Sequence, residues 1–178
     1  KKTGRDPRVL PQTVIYDPDL TLGLPVKLSV TSGLNAIAHA AEGLYAVDGN
    51  PITSLMAEEA IRASAVGLTN LVLDSKDIEA RSNALYGAWL AGSVLGAVAM
   101  GLHQKLCHTL GGSFNLPHAE VHAVILPHSL AYNCRAAPEA MWRIGRALGA
   151  KGKGDPLSAP NAVLSLARAM GAPTSLAA

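Results

Sequence analysis

Charged side chains are scarce in this chain: only 16% of its 178 residues are Asp, Glu, Lys or Arg. The formal net charge is +2, and the basic clusters are no larger than KKTGR at residues 1–5 and KGK at residues 151–153. Because nucleic-acid binding needs a concentrated basic face, we expect no nucleic-acid partner. Hydrophobic residues make up 49% of the chain, which predicts a globular domain with a substantial core.

Cysteine is also rare. The chain contains only Cys107 and Cys134, and they do not form a CxxC pair. A single disulfide would be a weak framework for a chain of this length, so we interpret both as free, buried thiols in a reducing cytoplasm. The opening KKTGRDPRVL lacks the apolar core of a signal peptide and does not begin with Met. We therefore expect a cytoplasmic protein of which this chain is an internal part.

Charge is absent from residues 83–103, in which Gly92 and Gly96 form a GxxxG motif. About 20 apolar residues can span a bilayer, and GxxxG motifs occur in membrane helices. However, the segment is rich in alanine and glycine, and no aromatic belt or second span accompanies it. We interpret it as a buried central helix of a domain with no membrane contact.

Proline and periodicity divide the chain into two parts. Residues 1–30 carry four prolines and are predicted to be an extended segment, in which TVIY at residues 13–16 suits a β-strand. From Thr31 or Ser32, which are candidate N-caps, the pattern becomes helical and stays so to residue 178. We predict an all-α domain of six or seven helices over residues 31–178, truncated at its C-terminus. The predicted helices cover residues 31–45, 51–73, a segment from a cap at Asp74 or Ser75 to about 103, 117–133, 137–148 and 162–171.

Two sequence details shape these helices. The second predicted helix, residues 51–73, is expected to begin with Pro51 in its first turn. Its apolar face is expected to contain Ile52, Leu55, Met56, Ala60, Ala63 and Val66. The paired glycines at 111–112 are expected to interrupt the histidine-rich stretch. Gly149 is expected to end the helix predicted over residues 137–148.

Five of the six histidines lie in GLHQKLCHTLGGSFNLPHAEVHAVILPH at residues 101–128, and His39 lies in SGLNAIAHAAEG. Burying so many polar rings costs free energy unless each ring is paired. Residues four apart share a helix face, so we expect three such pairs to meet in one pocket, whereas His103 faces elsewhere and His128 is a structural core residue. The pairs are Asn35 with His39, Gln104 with His108, and His118 with His122.

This pattern supplies histidine ligands for a metal site but not the carboxylates that would complete one. Imidazole suits zinc or iron, but such sites commonly add a carboxylate or thiolate to complete three or four ligands. The nearest carboxylates, Glu42 and Glu120, are not at a helical partner spacing for two histidines. The expected partner positions hold the neutral amides Asn35 and Gln104, which bind transition metals poorly.

SGLNAIAHAAEGLY and the histidine-rich stretch resemble the iron-containing alcohol dehydrogenase superfamily, most closely its maleylacetate reductase branch. The resemblance covers nearly the whole chain. It implies a C-terminal helical domain of the dehydroquinate-synthase-like, iron-alcohol-dehydrogenase type. It also implies a separate N-terminal α/β nucleotide-binding domain as a partner, and a homodimer.

The resemblance also maps a set of metal-ligand positions onto this chain: Asn35, His39, Gln104 and His118. Asn at the first position is typical of the maleylacetate reductase branch, which is regarded as not requiring a metal. Gln104 departs from that branch, which usually has a second histidine directly after the residue equivalent to His103. We therefore expect no bound metal.

The reaction implied by the resemblance is reduction of the carbon–carbon double bond of maleylacetate to 3-oxoadipate in aromatic-compound catabolism. NADH or NADPH, bound mainly by the N-terminal domain, supplies the hydride. Hydride addition places negative charge on the neighbouring carbonyl as an enolate, and a proton must reach the other carbon. This chain alone is expected to be inactive.

We expect protonated imidazoles to stabilise the enolate, one of them also acting as proton donor, with other side chains binding the dicarboxylate substrate. The predicted catalytic residues are His39, His108 and His118, and the predicted substrate-binding residues are Asn35, His103 and Lys105. Two alternatives remain open. One is a metal-dependent alcohol dehydrogenase domain in which His39 and His118 keep a weak iron or zinc site; the other is a catalytically incomplete helical fragment.

Overall fold

Seven α-helices make up most of the structure, a computed structural model that describes residues 7–9, 11–151 and 155–176. No β-strand occurs within these ranges, so the all-α prediction is confirmed. The helices are α1 (Val26–Gly43), α2 (Pro51–Leu73), α3 (Ile78–Ala97), α4 (Leu102–Phe114), α5 (His118–Asn133), α6 (Pro138–Ala147) and α7 (Ser158–Ala169). The basic residues of KKTGR and Gly152 and Lys153 of the second basic cluster lie outside the described ranges.

The N-terminal segment contains short 3-10 turns at Pro7–Val9 and Asp19–Thr21, and the predicted strand at residues 13–16 is wrong. Residues 13–16 form no regular structure, and Ile15 is 85% exposed. A β-strand needs a neighbouring strand to satisfy its backbone groups, and the described residues offer none. The buried Arg81 instead anchors this segment, because its guanidinium donates to the carbonyl oxygens of Thr21 and Ser75.

The first helix begins earlier than the sequence predicts. α1 starts at Val26, directly after Pro25 with φ −56°, so the expected caps at Thr31 and Ser32 are wrong. Thr31 lies inside the helix, where its hydroxyl donates to the Lys27 carbonyl oxygen at 3.1 Å. The proline ring fixes φ of Pro25 near its helical value, so the helix can begin there without a hydrogen bond from a capping side chain.

α1, not α3, is the central helix. It packs against α2, α3, α4 and α5, and ten of its 18 residues are buried. In α3 only six of 20 residues are buried, which corrects the expectation of a helix buried on all sides. No helix in the described ranges could cross a membrane by itself; α3 and α4 meet the length and composition requirement only as a pair, bent by 99°.

α2 and α3 form the most extensive helix–helix contact. Pro51 lies in the first turn of α2 as predicted, and the N-cap Asn50 forms a capping box with Thr53 across it. The expected apolar face is partly wrong, because Ile52, Leu55 and Val66 are exposed. The helices approach instead through small residues: a Cβ on Gly67 would lie 2.6 Å from the Ala84 backbone nitrogen. A Cβ on Gly92, in the GxxxG motif of α3, would meet no described atom within 4 Å outside its own helix backbone.

The paired glycines at 111–112 do not interrupt α4, which continues to Phe114. It ends where Asn115 adopts a left-handed conformation with φ 51°, a position that Asn tolerates well. The predicted bounds of α5 are confirmed. Gly149, with φ 79°, follows α6 as predicted, and α7 begins four residues before the predicted start at residue 162.

Candidate functional site

Five histidines from three helices lie together at the junction of α1, α4 and α5. We call them the histidine cluster: His39 from α1, His103 and His108 from α4, and His118 and His122 from α5. The ring centroids of His39 and His122 are 6.0 Å apart, those of His103 and His122 4.9 Å, and those of His108 and His118 5.6 Å. The structure thus brings together the rings that the helical spacing suggested, and it adds His103 to them.

A buried carboxylate from α1 holds the start of α4 in place. Glu42 is 1% exposed, and it accepts hydrogen bonds from the backbone nitrogens of His103 at 2.8 Å and Gln104 at 3.2 Å. Negative charge at a helix N-terminus is favourable. Gly101 permits this approach, because a Cβ there would lie 2.9 Å from a Glu42 oxygen. Burial raises the pKa of Glu42, and the backbone hydrogen bonds oppose that rise. Sequence reasoning considered Glu42 only as a metal ligand and missed this role.

The inner part of the cluster is a continuous row of hydrogen bonds. Ser129 Oγ lies 3.1 Å from His103 Nδ1, and His103 Nε2 lies 2.8 Å from His122 Nδ1. His122 Nε2 in turn lies 3.1 Å from His118 Nε2. Ser129, His103 and His122 are buried, whereas His118 is exposed. The row therefore runs from the core of the domain to its surface.

Burial makes the inner rings neutral. Burial and, to a smaller extent, repulsion from the neighbouring histidines together lower the pKa of His103 to about 3 and that of His122 to about 2. Burial also lowers the pKa of His39 to about 4, together with repulsion from His118 and His108. The expectation of a protonated imidazole is therefore wrong for His39 at neutral pH. This ring can stabilise negative charge only as a neutral hydrogen-bond donor.

The outer part of the cluster contains the other predicted site residues. Gln104 Nε2 lies 3.0 Å from His39 Nδ1, so an amide hydrogen points to Nδ1 and the proton of the neutral His39 ring lies on Nε2. Asn35 Oδ1 is buried and has no hydrogen-bond partner among the described residues. His108 and His118 are exposed, and their rings stack with an interplanar angle of 20°.

The other predicted residues, Lys105, His103 and His128, differ in how far they are exposed to solvent. Lys105 is exposed on α4, where it is accessible to a ligand. His103 is completely buried, and both of its ring nitrogens already take part in hydrogen bonds, which does not fit direct contact with a substrate carboxylate. His128 is exposed on α5, so its interpretation as a buried core residue is wrong; Pro127 beside it is the buried residue.

The four ligand positions implied by the family resemblance do not fit iron or zinc. Two of them, Asn35 and Gln104, hold neutral amides, and the Gln104 amide is directed at His39 Nδ1. The set lacks the anionic ligand that such sites commonly contain. The two nearby carboxylates have other partners, since Glu42 caps α4 and Glu120 pairs with Lys27 at 3.0 Å.

A second group with metal-ligating atoms lies deeper, where His103, Cys107 and His122 have donor atoms within 4.8 Å of one another. Burial raises the pKa of the Cys107 thiol to about 12, so it is neutral. The two imidazole nitrogens are 2.8 Å apart, whereas two nitrogens on one tetrahedral zinc ion would be about 3.3 Å apart. The contact is therefore a hydrogen bond. Cys107 and Cys134 are both free and buried, as predicted.

Comparison with known proteins places this geometry in context. Residues 29–178 match the sequence profile of the Fe-containing alcohol dehydrogenase family, C-terminal. The chain is 66% identical over its full length to a maleylacetate reductase of Burkholderia cepacia and 60% identical over 99% of its length to one of Sphingobium indicum. It superposes over 99% of its length on the crystal structure of maleylacetate reductase from Agrobacterium tumefaciens, with a TM-score of 0.92 and 55% identity. The chain spans about half the length of these relatives, 48–49%.

Proposed function

Because the chain belongs to the Fe-containing alcohol dehydrogenase family, we propose that the full-length protein is a maleylacetate reductase. The two relatives named maleylacetate reductase are 60–66% identical to this chain, which supports the choice of substrate. The observation that carries the proposal is the histidine cluster, which gathers exposed and buried imidazoles from three helices and offers no anionic metal ligand. This chain supplies the helical half of the site.

The proposed reaction transfers a hydride from NADH or NADPH to one alkene carbon of maleylacetate. The electron pair of the double bond moves toward the conjugated ketone and forms an enolate, and a proton then attaches to the other alkene carbon. His39 Nε2–H is a neutral donor suited to the enolate oxygen, where charge develops. The proton comes from an exposed imidazole, His108 or His118, since solvent can reprotonate either ring after turnover.

We assign binding of the substrate carboxylates to side chains around these rings. Lys105 is exposed one residue after Gln104 and supplies a cation for one carboxylate. Asn35 can donate its amide Nδ2–H to the other carboxylate, since a carboxylate accepts hydrogen bonds only. The nicotinamide cofactor is held mainly by the N-terminal α/β domain, and we propose a cytoplasmic homodimer.

A metal-dependent alcohol dehydrogenase is the second candidate function, since the family name refers to iron. The amides at Asn35 and Gln104 argue against it, because neither supplies negative charge. No step of the proposed reaction uses a metal, so the two candidates differ in metal content as well as in substrate.

The test is maleylacetate-dependent NADH and NADPH oxidation by the full-length protein, combined with elemental analysis of the same sample. We expect turnover with iron and zinc far below one per chain and no loss on chelation. His39→Ala should lower kcat by at least about 100-fold while the unfolding midpoint changes little. His128→Ala, an exposed site outside the cluster, is the matched control and should retain full activity.

Other outcomes would contradict the proposal. One iron or zinc per chain, with activity lost on chelation, would identify a metal-dependent dehydrogenase. If His39→Ala lowered stability as much as turnover, His39 would be a packing residue. We expect the 178-residue chain alone not to oxidise NADH, and activity from it alone would contradict the assignment of cofactor binding to the other domain.

A further inference from the structure

In the inner row of hydrogen bonds, Ser129 determines which nitrogen of each histidine ring donates and which accepts. The Ser129 hydroxyl lies 3.0 Å from the Leu126 carbonyl oxygen, to which it donates, and 3.1 Å from His103 Nδ1. A hydroxyl group has one proton to donate and two lone pairs to accept with. Since its proton is directed to the carbonyl, Ser129 Oγ accepts from His103, and the His103 proton lies on Nδ1.

Each following ring inherits its tautomer from the one before. A neutral imidazole has one donor nitrogen and one acceptor nitrogen. His103 Nε2 is therefore an acceptor and receives the proton of His122 Nδ1 at 2.8 Å. His122 Nε2 is then also an acceptor, and it receives the proton of His118 Nε2 at 3.1 Å. At the end of the row, His118 carries a proton on Nε2, and in the neutral form of this ring the lone pair lies on Nδ1.

We propose that Ser129, His103 and His122 are positioning residues that hold His118 in its Nε2–H tautomer. None of the three needs to touch substrate or cofactor. Their effect is to make Nδ1 the nitrogen through which His118 takes up a proton from solvent and, in the proposed reaction, passes it to the substrate carbon. With the row reversed, His118 would carry its proton on Nδ1, and the same ring position would be a donor. These three residues, which we call the relay, therefore decide whether Nδ1 of the neutral His118 ring is a hydrogen-bond acceptor or a donor.

Two ring contacts keep His118 in the orientation that this role requires. The His118 ring meets the His122 ring edge to face at 4.5 Å with an interplanar angle of 74°. The His118 ring also stacks on the ring of His108 at 5.6 Å. The ring is therefore held by contacts on both α4 and α5, and the hydrogen bond to His122 selects the nitrogen that points inward.

The catalytic meaning of this relay rests on the proposed function, but its geometry can be tested separately. The experiment uses full-length protein labelled with 15N in its histidine rings, with the His118 signals assigned from their loss in His118→Gln. In the wild type we expect a protonated Nε2 and an unprotonated Nδ1. Ser129→Ala removes the acceptor of the His103 Nδ1 proton, so the row should reverse and His118 should gain a proton on Nδ1. Ser129→Thr keeps the hydroxyl and should leave the His118 signals unchanged.

A kinetic measurement on the same variants tests the functional consequence. We expect Ser129→Ala to lower kcat about tenfold with KM within twofold of the wild type, and Ser129→Thr to restore it. Should Ser129→Ala fail to fold, His122→Gln is measured instead; its amide can still accept from His118, so the Nε2–H tautomer should persist there.

The outcomes separate the two proposals. Identical His118 ring signals in wild type and a folded Ser129→Ala variant would overturn the relay, whatever the activity. Loss of the Nε2–H tautomer in His122→Gln would do the same. One zinc per chain that disappears in Cys107→Ser would also overturn it, because the ring nitrogens would then bind metal. The expected tautomer change in a protein that does not reduce maleylacetate would support the relay and reject only the proposed function.

Discussion

Glu42 shows how much one buried side chain contributes to the site. Its carboxylate accepts two backbone hydrogen bonds at the start of α4, from residues 61 and 62 positions later in the chain. Those residues, His103 and Gln104, each contact another member of the histidine cluster. The position of the cluster therefore depends on a group that is not itself part of it.

We predict that Glu42→Ala lowers the free energy of unfolding by about 2–6 kcal/mol, since two buried N–H groups lose their acceptor at about 1–3 kcal/mol each. It should also lower kcat, because His103 and Gln104 lose their fixed position. Urea unfolding and the maleylacetate assay on full-length protein measure both effects. Glu120→Ala is the control; its ion pair with Lys27 is at the surface, and its loss should cost under about 1 kcal/mol. Equal losses in the two variants would contradict the capping role.

At the level of single residues, the sequence predicts contacts within a helix better than contacts between helices. The pair His118 and His122 was expected from spacing alone, and the rings are in contact. The bond between His103 and His122 joins α4 to α5, and no periodicity relates residues on separate helices. The neutral state of His39 was also missed, because its low pKa arises from burial and burial follows from packing.

At the level of elements, boundaries were predicted where a local signal sets them. Pro51 lies in the first turn of α2 as expected, since a first-turn proline is a local feature. The capping box of Asn50 and Thr53 is a second local signal that sets the same boundary. The start of α1 was missed because its N-cap, Pro25, offers no side-chain oxygen. The end of α4 was missed because the glycines at 111–112 remain helical. Glycine lowers helix propensity, but tertiary packing overrides it.

The contact between α2 and α3 depends on glycines that no periodicity identified. A Cβ on Gly67 would lie 2.6 Å from the Ala84 nitrogen and 2.8 Å from the Ala80 oxygen, and neither backbone atom can move alone. We predict that Gly67→Ala lowers the free energy of unfolding by about 1–3 kcal/mol, as measured by urea unfolding.

Gly92→Ala on the neighbouring helix is the matched control for that prediction. Outside its own helix backbone, a Cβ at Gly92 would meet no described atom within 4 Å, so alanine should raise stability by up to about 1 kcal/mol through its better helix propensity. If Gly67→Ala were also stabilising, α2 and α3 would be farther apart than the structure places them.

For the whole molecule, the sequence predicts the fold class but not which helix lies at its centre. The motifs around His39 and His103 point to a family whose C-terminal domain is helical, and the match over residues 29–178 confirms it. The composition of residues 83–103 suggested a central α3, yet α1 occupies that position. Alanine and glycine permit close packing, but they do not require it, as the open space beside Gly92 demonstrates.

Burial of three histidines also makes the stability of the whole molecule depend on pH. The folded-state pKa values of His39, His103 and His122 are about 4, 3 and 2, against 6.5 for an unperturbed histidine. Between these values the unfolded chain binds more protons than the folded one, so stability falls as pH falls. Their contribution is fully present above pH 6.5 and is lost on acidification at roughly 1 kcal/mol per pH unit for each histidine. The raised pKa of Glu42 acts in the opposite direction and offsets part of this loss.

We therefore predict that the free energy of unfolding of the full-length protein falls by about 2–3 kcal/mol between pH 6 and pH 5, as measured by urea unfolding at each pH. His122→Asn removes one of the three rings, so the free energy of unfolding of this variant should fall by about 1 kcal/mol less over the same range. His128→Asn is the control on the same helix; its ring is exposed to solvent, and the slope should equal that of the wild type. A His122→Asn slope equal to the wild-type slope would mean that this ring is charged, or solvated, in the folded protein. In that case the inner row of neutral imidazoles could not exist, because a charged His122 would donate from both nitrogens and could accept nothing from His118.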